Sequence, residues 1–216
     1  MPIRSLNPAT AELLRTFEPL SEEALRARIE LASASVPVLA QVPLEHRALC
    51  MKKLAGLLEH ESDELAVIMT TEMGKTLSAS RLEIAKCVTC CRYYAQRAAD
   101  ILADEHVETE NQSSFVRYEP LGVVLAVMPW NFPLWQVFRF LAPALMAGNV
   151  SLLKHASNVP QCSLAIEALV RRAGFPRGSH QSLLIEARQV ESVLADERIA
   201  AVTLTGSESA GRAVAA

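Results

Sequence analysis

No apolar run in the 216 residues approaches the roughly 18 to 20 needed to cross a bilayer, because the longest candidate, Leu121 to Trp135, is broken by Pro129, Asn131 and Pro133. A membrane span is therefore not expected. Nor does a hydrophobic segment follow Met1-Pro2-Ile3-Arg4: Asn7, Pro8, Thr10 and Glu12 come next, so no secretory signal is visible. An excess of charge is also missing. The 21 basic and 24 acidic side chains give a formal charge of −3, and without a Lys/Arg block there is no field to hold a nucleic acid. Cysteines are few and odd in number. The five (Cys50, Cys87, Cys90, Cys91, Cys162) cluster mostly at helical spacing, which suits a reducing cytoplasm better than a disulfide framework.

What the chain does have is apolar material. Half the residues are hydrophobic and 21% are charged, enough for a sizeable core in one large domain or two small ones and too balanced for a disordered tail. Ser21 reads as an N-cap, with Glu22 and Glu23 in the first turn and Leu25, Ile29 and Ala32 at helical spacing. A second helix begins near Pro43 and carries Leu54, Leu57, Leu58, Leu65 and Ile68 in one stripe; a third follows Gly74 and runs from about Leu77 to Leu102. The first hundred residues are thus expected to be mainly helical, with no strand alternation and no internal repeat.

At His106 the texture changes. Val107 to Glu110 and Ser114 to Tyr118 alternate as half-exposed strands around the turn Asn111-Gln112-Ser113, which predicts a β-hairpin. Leu121 to Met128 is a continuous β-rich run of the kind buried on both faces of a parallel sheet. Helices near 133–147 and 160–173 then alternate with strands near 150–154, 181–185 and 200–205, with Gly174 and Pro176 ending the second helix. Such alternation argues for an α/β fold built from βαβ units. The last residues, Gly211 to Ala216, read as the middle of a helix with nothing to stop it, so the chain is expected to be truncated.

Three ligand-type turns follow successive strands. Met128-Pro129-Trp130-Asn131-Phe132-Pro133 lies between a buried strand and a helix, where open α/β sheets place ligands. Asn131 is either a turn-former or a neutral donor placed where negative charge develops on a carbonyl oxygen. Lys154 ends the next strand and points toward the same crevice, where it could meet phosphate or ribose. Gly206-Ser207-Glu208 opens a helix after the last strand, an anion site by its amides and dipole.

These segments, with Asn7-Pro8-Ala9-Thr10, Thr71-Glu72-Met73-Gly74-Lys75 and Ala147-Gly148-Asn149, resemble the aldehyde dehydrogenase superfamily over the whole chain, in particular bacterial succinate-semialdehyde dehydrogenases with Lys-His-Ala-Ser at the strand end. The resemblance implies an aldehyde dehydrogenase-like fold: a helical segment (1–105), the β-hairpin of an oligomerisation arm (106–119) and an incomplete Rossmann-like NAD(P)-binding sheet (120–216), with the catalytic domain absent. It implies that Asn131 stabilises the oxyanion formed when a cysteine attacks the aldehyde. Pro129 and Trp130 would lie along the nicotinamide, Lys154 and Ser157 at the adenine ribose, and Gly206 and Ser207 at the pyrophosphate, with Phe132 and Arg139 meeting the substrate. Ser157 stands where many NAD-dependent members have a glutamate that accepts ribose hydroxyls and repels a 2′-phosphate, so NADP should be accepted, alongside NAD.

Arg139 is eight positions beyond Asn131, two helical turns on nearly the same face. It either pairs with the substrate's distal carboxylate, as the resemblance implies, or is a solvated or ion-paired helix residue. The family's cysteine nucleophile and glutamate base would lie beyond residue 216. Cys87, Cys90 and Cys91 read as packing or surface thiols, Glu72 and Glu83 belong to the helical part and are not promoted to general base, and no metal site is expected. Two functions remain in view: NAD(P)-dependent oxidation of an aldehyde, foremost succinate semialdehyde, by a cytoplasmic homo-oligomer in its complete form; or a non-catalytic fragment that binds nucleotide weakly or associates with a full-length relative.

Overall fold

The computed structural model describes residues 2–110 and 113–215. Helix α1 (Glu22–Gln41) begins where the sequence predicts, the Ser21 hydroxyl accepting the Ala24 N–H at 3.1 Å. Helices α2 (Leu44–His60), α3 (Ser62–Met73) and α4 (Leu77–Ile101) follow. The single stripe expected from Leu54 to Ile68 is divided between α2 and α3, because the backbone leaves helical geometry at Glu61 (φ −98°, ψ 17°). Leu54, Leu58 and Leu65 stay buried on both sides of that break, so the burial pattern survives the change of axis.

The expectation of no strand in the first hundred residues is overturned. Strands β1 (Ile3–Leu6) and β2 (Leu13–Phe17) form an antiparallel hairpin with Ile3 opposite Phe17 and Arg4 opposite Thr16. Its alternation is disguised because Leu6 and Leu13 face outward while an inward position is Ser5, whose hydroxyl donates to Glu72 at 2.7 Å. A polar residue inside and leucines outside invert the pattern on which strand recognition depends. The second hairpin is present but displaced: β3 (Glu105–His106) pairs with β4 (Phe115–Val116), and the Val107 N–H donates to the Ser114 carbonyl at 2.9 Å. Of its expected turn, Asn111 and Gln112 lie outside the described residues.

Strands β5 (Val123–Met128), β6 (Val150–His155), β7 (His180–Ser182) and β8 (Ile199–Leu204) form a parallel sheet in the order β7-β6-β5-β8. All but one residue of β5 and of β6 is buried, as the continuous apolar run of β5 leads one to expect of a parallel sheet. The connections are α5 (Trp135–Met146), α6 (Pro160–Ala173) and α7 (Val190–Leu194), and α8 (Glu208–Ala215) follows β8. Strand β7 is shorter than the 181–185 expected. Gly174 closes α6 in the left-handed conformation (φ 102°), as its position predicts. Gly148 is required by its φ of +91°, and a Cβ there would also displace the Arg47 guanidinium, 2.8 Å away, that caps the Met146 carbonyl.

One apolar core joins the two parts. Leu58, Met69 and Ile84 of the helical segment belong to the same cluster as Phe138, Leu152 and Ile166 around the sheet. Of the helices before residue 105, α1 packs directly on β5, β6 and β7, while α2, α3 and α4 pack on α5 and α6.

Candidate cofactor and substrate site

The carboxyl ends of β8, β5 and β6 are level. Val127 is opposite both Lys154 and Leu204, and the turns are joined at their roots: the Ala156 N–H donates to the Met128 carbonyl and the Thr205 N–H to the Val127 carbonyl, each at 3.0 Å. From β5 the chain moves through β6 to β7, then returns to β8 on the other side. The switch point lies between β5 and β8, where open sheets of this kind bind ligands.

The 129–133 turn leaves β5 at this point. Asn131 and Trp130 are exposed, and the Asn131 carboxamide makes no hydrogen bond among the described residues. Asn7 does act as a turn-former, accepting the Ala9 N–H at 3.0 Å, and Asn149 ties down a distant segment, accepting the Leu121 and Gly122 N–H groups at 2.7 and 3.2 Å. Asn131 is different. Its turn is held by neighbours, which leaves the amide free to donate outward.

Two of those neighbours escape sequence reasoning. Glu83 on α4 accepts the Leu134 and Trp135 N–H groups through one carboxylate oxygen, each at 2.9 Å, and its other oxygen pairs with the Lys75 ammonium. The Glu83 and Lys75 side chains are only 1% and 10% exposed. The same ammonium lies 4.0 Å above the ring of Phe132. His155, buried at the end of β6, donates from Nε2 to the Pro133 carbonyl at 2.8 Å and accepts the Ala156 N–H at Nδ1 at 2.9 Å. A carbonyl can only accept and an amide N–H only donate, so this ring is the neutral Nε2–H tautomer, and burial pushes its pKa down to about 4. Glu72 does for α6 what Glu83 does for α5, accepting the Gln161 and Cys162 N–H groups at 2.9 Å. Each glutamate thus accepts three contacts and holds backbone in place. The sequence signal was the Glu-Met-Gly-Lys run and the inward position of Glu83 on α4.

Arg139 is exposed on α5, one turn beyond the half-buried Trp135, and has no ion pair or hydrogen bond among the described residues. The ion-paired alternative for it therefore has no partner. Lys86 of α4 places its ammonium 4.0 Å above the Trp135 ring, so the flank of the turn carries cations and no opposing carboxylate on Arg139.

Beyond the end of β6 is a cleft of about 340 Å³ whose lining includes Lys154 and Ser157. Lys154 is half-buried without a counter-ion among the described residues, and burial lowers its pKa. An orphaned cation beside a free hydroxyl at a strand end fits the ribose and phosphate of a dinucleotide. On the other side of β5, the Ser207 hydroxyl accepts the Ala210 N–H at 3.2 Å and caps α8. At Gly206 a Cβ would meet only carbons of Ala210 and Leu204 at 3.7 Å, so the protein's own packing does not demand glycine there. Glu208, which has no evident role toward a pyrophosphate, is engaged by Arg212 at 2.6 Å. The five thiols are pushed upward in pKa, chiefly by burial, opposite to the direction of a reactive thiolate.

The succinate-semialdehyde dehydrogenase (NADP+) 1 of Mycobacterium tuberculosis is 50% identical over 219 residues, covering 100% of this chain and 48% of the relative. The succinate-semialdehyde dehydrogenase (NADP+) of Mycobacterium avium is 51% identical over 220 residues, covering 100% and 47%. The crystal structure of succinic semialdehyde dehydrogenase from Streptococcus pyogenes in complex with NADP+ superposes with a TM-score of 0.95 at 36% identity, covering 99% of this chain and 47% of that one. The chain thus spans about half the length of the curated relatives it matches. The aldehyde dehydrogenase family model matches residues 1–216, and with the strand-end geometry and these relatives in agreement the chain belongs to the aldehyde dehydrogenase family.

Proposed function

We propose that this chain forms the cofactor-binding and oxyanion-stabilising half of an NAD(P)-dependent aldehyde dehydrogenase that accepts NADP+ and acts on succinate semialdehyde. The observation that carries the proposal is the unengaged Asn131 carboxamide at the end of the central strand, in a turn tied down by Glu83 and His155. The overall reaction turns aldehyde and water into carboxylic acid, with a hydride leaving to the oxidised nicotinamide and one proton released. Bound NADP+ supplies that hydride acceptor.

The residues of this chain bind and orient. Asn131 donates a hydrogen bond to the aldehyde oxygen as it becomes anionic, an interaction stronger in the transition state than in the ground state. Pro129 and Trp130 border the nicotinamide, Lys154 and Ser157 hold the adenosine ribose and its 2′-phosphate, and Gly206 and Ser207 face the pyrophosphate. Arg139 takes the distal carboxylate of the substrate as a bidentate partner, with Phe132 against the carbon chain. The names of the relatives favour NADP+ and succinate semialdehyde, and Ser157 in place of a carboxylate leaves room for the 2′-phosphate. The exposed Phe115, Val116 and Tyr118 of the second hairpin suit an arm that pairs with another subunit, in a cytoplasmic homo-oligomer.

The test, in an enzyme of full family length carrying this half, is formation of reduced cofactor from NADP+ with succinate semialdehyde and with butyraldehyde. Turnover should favour the semialdehyde, and Asn131→Ala should lower kcat by about 10²–10³, the usual worth of one oxyanion donor. Nucleotide binding without turnover would leave a binding module and sink the catalytic reading.

A further inference from the structure

The cleft beyond β6 has a cation that the family resemblance does not place there. Its lining combines Lys154, Ser157 and Asn158 with Ile185, Glu186 and, from the other end of the chain, Arg4 of β1. We infer that Arg4 is a specificity-determining residue that binds the 2′-phosphate of NADP+ alongside Lys154 and Ser157. The inference rests on the cofactor reading above and adds a residue from outside the nucleotide-binding sheet.

Three observations carry it. The first is anchorage. Arg4 lies between two buried residues, Ile3 and Ser5, so strand alternation sends its side chain outward. Ser5 is fixed by a buried network in which its hydroxyl donates to Glu72 at 2.7 Å and accepts from the Gln161 amide at 3.0 Å. Glu72 also holds the first turn of α6, the helix that follows Ser157 and Asn158. The strand bearing Arg4 and the turn bearing Ser157 are thus tied to one carboxylate.

The second is availability. Arg4 is exposed and has no ion pair or hydrogen bond among the described residues, and neither has Lys154. The carboxylate in the same cleft, Glu186, accepts from Arg188 at 2.7 Å, so its charge is already countered. Two cations are left over.

The third is chemistry. A ribose 2′-phosphate adds close to two negative charges and three acceptor oxygens to the adenosine, which a planar guanidinium can meet with paired N–H groups while the lysine acts as a point charge. An adenosine with a free 2′-hydroxyl offers the guanidinium one neutral acceptor in place of a dianionic group with three. Arg4 therefore separates NADP+ from NAD+ and leaves adenine recognition unchanged.

The test needs only the adenosine half of the cofactor. Isothermal titration of the protein with adenosine 2′,5′-bisphosphate and with adenosine 5′-monophosphate should show tighter binding of the bisphosphate. Arg4→Ala should weaken the bisphosphate about tenfold or more, the worth of a hydrogen bond to a charged group, and leave the monophosphate within about twofold. Arg4→Glu should reject the bisphosphate and still bind the monophosphate, which also shows that the variant is folded. Equal weakening of both nucleotides by Arg4→Ala, or of neither, would overturn the role of Arg4. If Lys154→Ala abolishes the preference while Arg4→Ala does not, the cofactor reading stands and the Arg4 inference falls. If the unmodified protein binds neither nucleotide, both fall.

Discussion

The Glu83 carboxylate on α4 accepts the Trp135 backbone N–H at 2.9 Å and the neighbouring Leu134 N–H at the same distance, across 51 and 52 residues of sequence. A helix start has N–H groups with no intrahelical partner, and these are commonly met by a side chain just before the helix. Here the residue at the N-cap of α5 is Leu134, whose side chain cannot accept, and the capping comes from another helix. The turn is thereby relieved of capping itself, and Asn131 can face outward.

Glu83→Ala should therefore destabilise the fold by about 3–5 kcal/mol, because it uncaps α5 and strands the Lys75 ammonium in a site that is nearly closed to water. Glu83→Gln keeps an acceptor for the two N–H groups but removes the charge facing Lys75, and should fall between. Urea unfolding of the three proteins checks the order. A Glu83→Ala protein as stable as the original would show that the buried carboxylate contributes nothing net.

His180 presents the opposite situation. It is buried at the start of β7 with neither ring nitrogen hydrogen-bonded among the described residues, and burial, with a smaller contribution from His155, pushes its pKa down to about 3. A ring that has lost water without gaining a partner is a cost, so His180→Phe should leave stability unchanged or raise it by about 1–3 kcal/mol. Thermal unfolding at neutral pH reads the difference, and a clear loss of stability would mean that the ring nitrogens are satisfied in solution.

Acid sensitivity follows from the same two rings. Both histidines have folded pKa values below the ordinary 6.5, so between pH 6.5 and about 4 the unfolded chain binds more protons than the folded one. Stability is then fully present above pH 6.5 and declines as the pH falls, by an amount on the order of 3 kcal/mol for His155 alone. His180→Phe should make that decline shallower throughout, from pH 6.5 downward, because it removes one of the two rings that resist protonation in the folded state. A stability curve that is level from pH 7 to pH 4 would show that neither ring is held neutral.

How much of this could be read from the sequence depended on whether a feature was local. The apolar runs that became β5 and β6, the Ser21 cap and the Gly174 stop are each written in a few adjacent residues, and each lies where it was expected. The hairpin at residues 3–17 was hidden because Ser5 is buried against Glu72, 67 residues away, while Leu6 and Leu13 are exposed. The bend at Glu61 has no glycine or proline to announce it. At the candidate site the three turns were legible as strand-to-helix junctions. Their supports were not, because Glu72, Glu83 and His155 act on backbone groups 22 to 90 residues away, and periodicity gives no information at that range.

Cofactor choice can be tested at Ser157. This residue borders the same cleft as Lys154, and Ser157→Glu would add a carboxylate where a 2′-phosphate is expected to sit. Like charges at that separation repel, and a carboxylate can instead accept the two ribose hydroxyls. The variant should shift preference from NADP+ toward NAD+ by about tenfold or more, a change of about 1.4 kcal/mol or more. Competition between the two cofactors measures it, and an unchanged ratio would show that Ser157 does not face the 2′ position.

Substrate choice can be tested at Arg139, in an active enzyme of full family length carrying this half. The guanidinium is exposed, free of ion pairs among the described residues and on the helix that the Asn131 turn leads into. Paired hydrogen bonds to a charged group contribute about 1.5–3 kcal/mol, so Arg139→Ala should raise the KM for succinate semialdehyde by about 10- to 100-fold. Butyraldehyde, with the same carbon chain and no carboxylate, should keep its KM. Arg139→Lys should recover part of the loss, because the ammonium retains the charge without the fork. If both aldehydes suffer equally, Arg139 supports the helix and does not read the substrate, and the carboxylate must be recognised elsewhere.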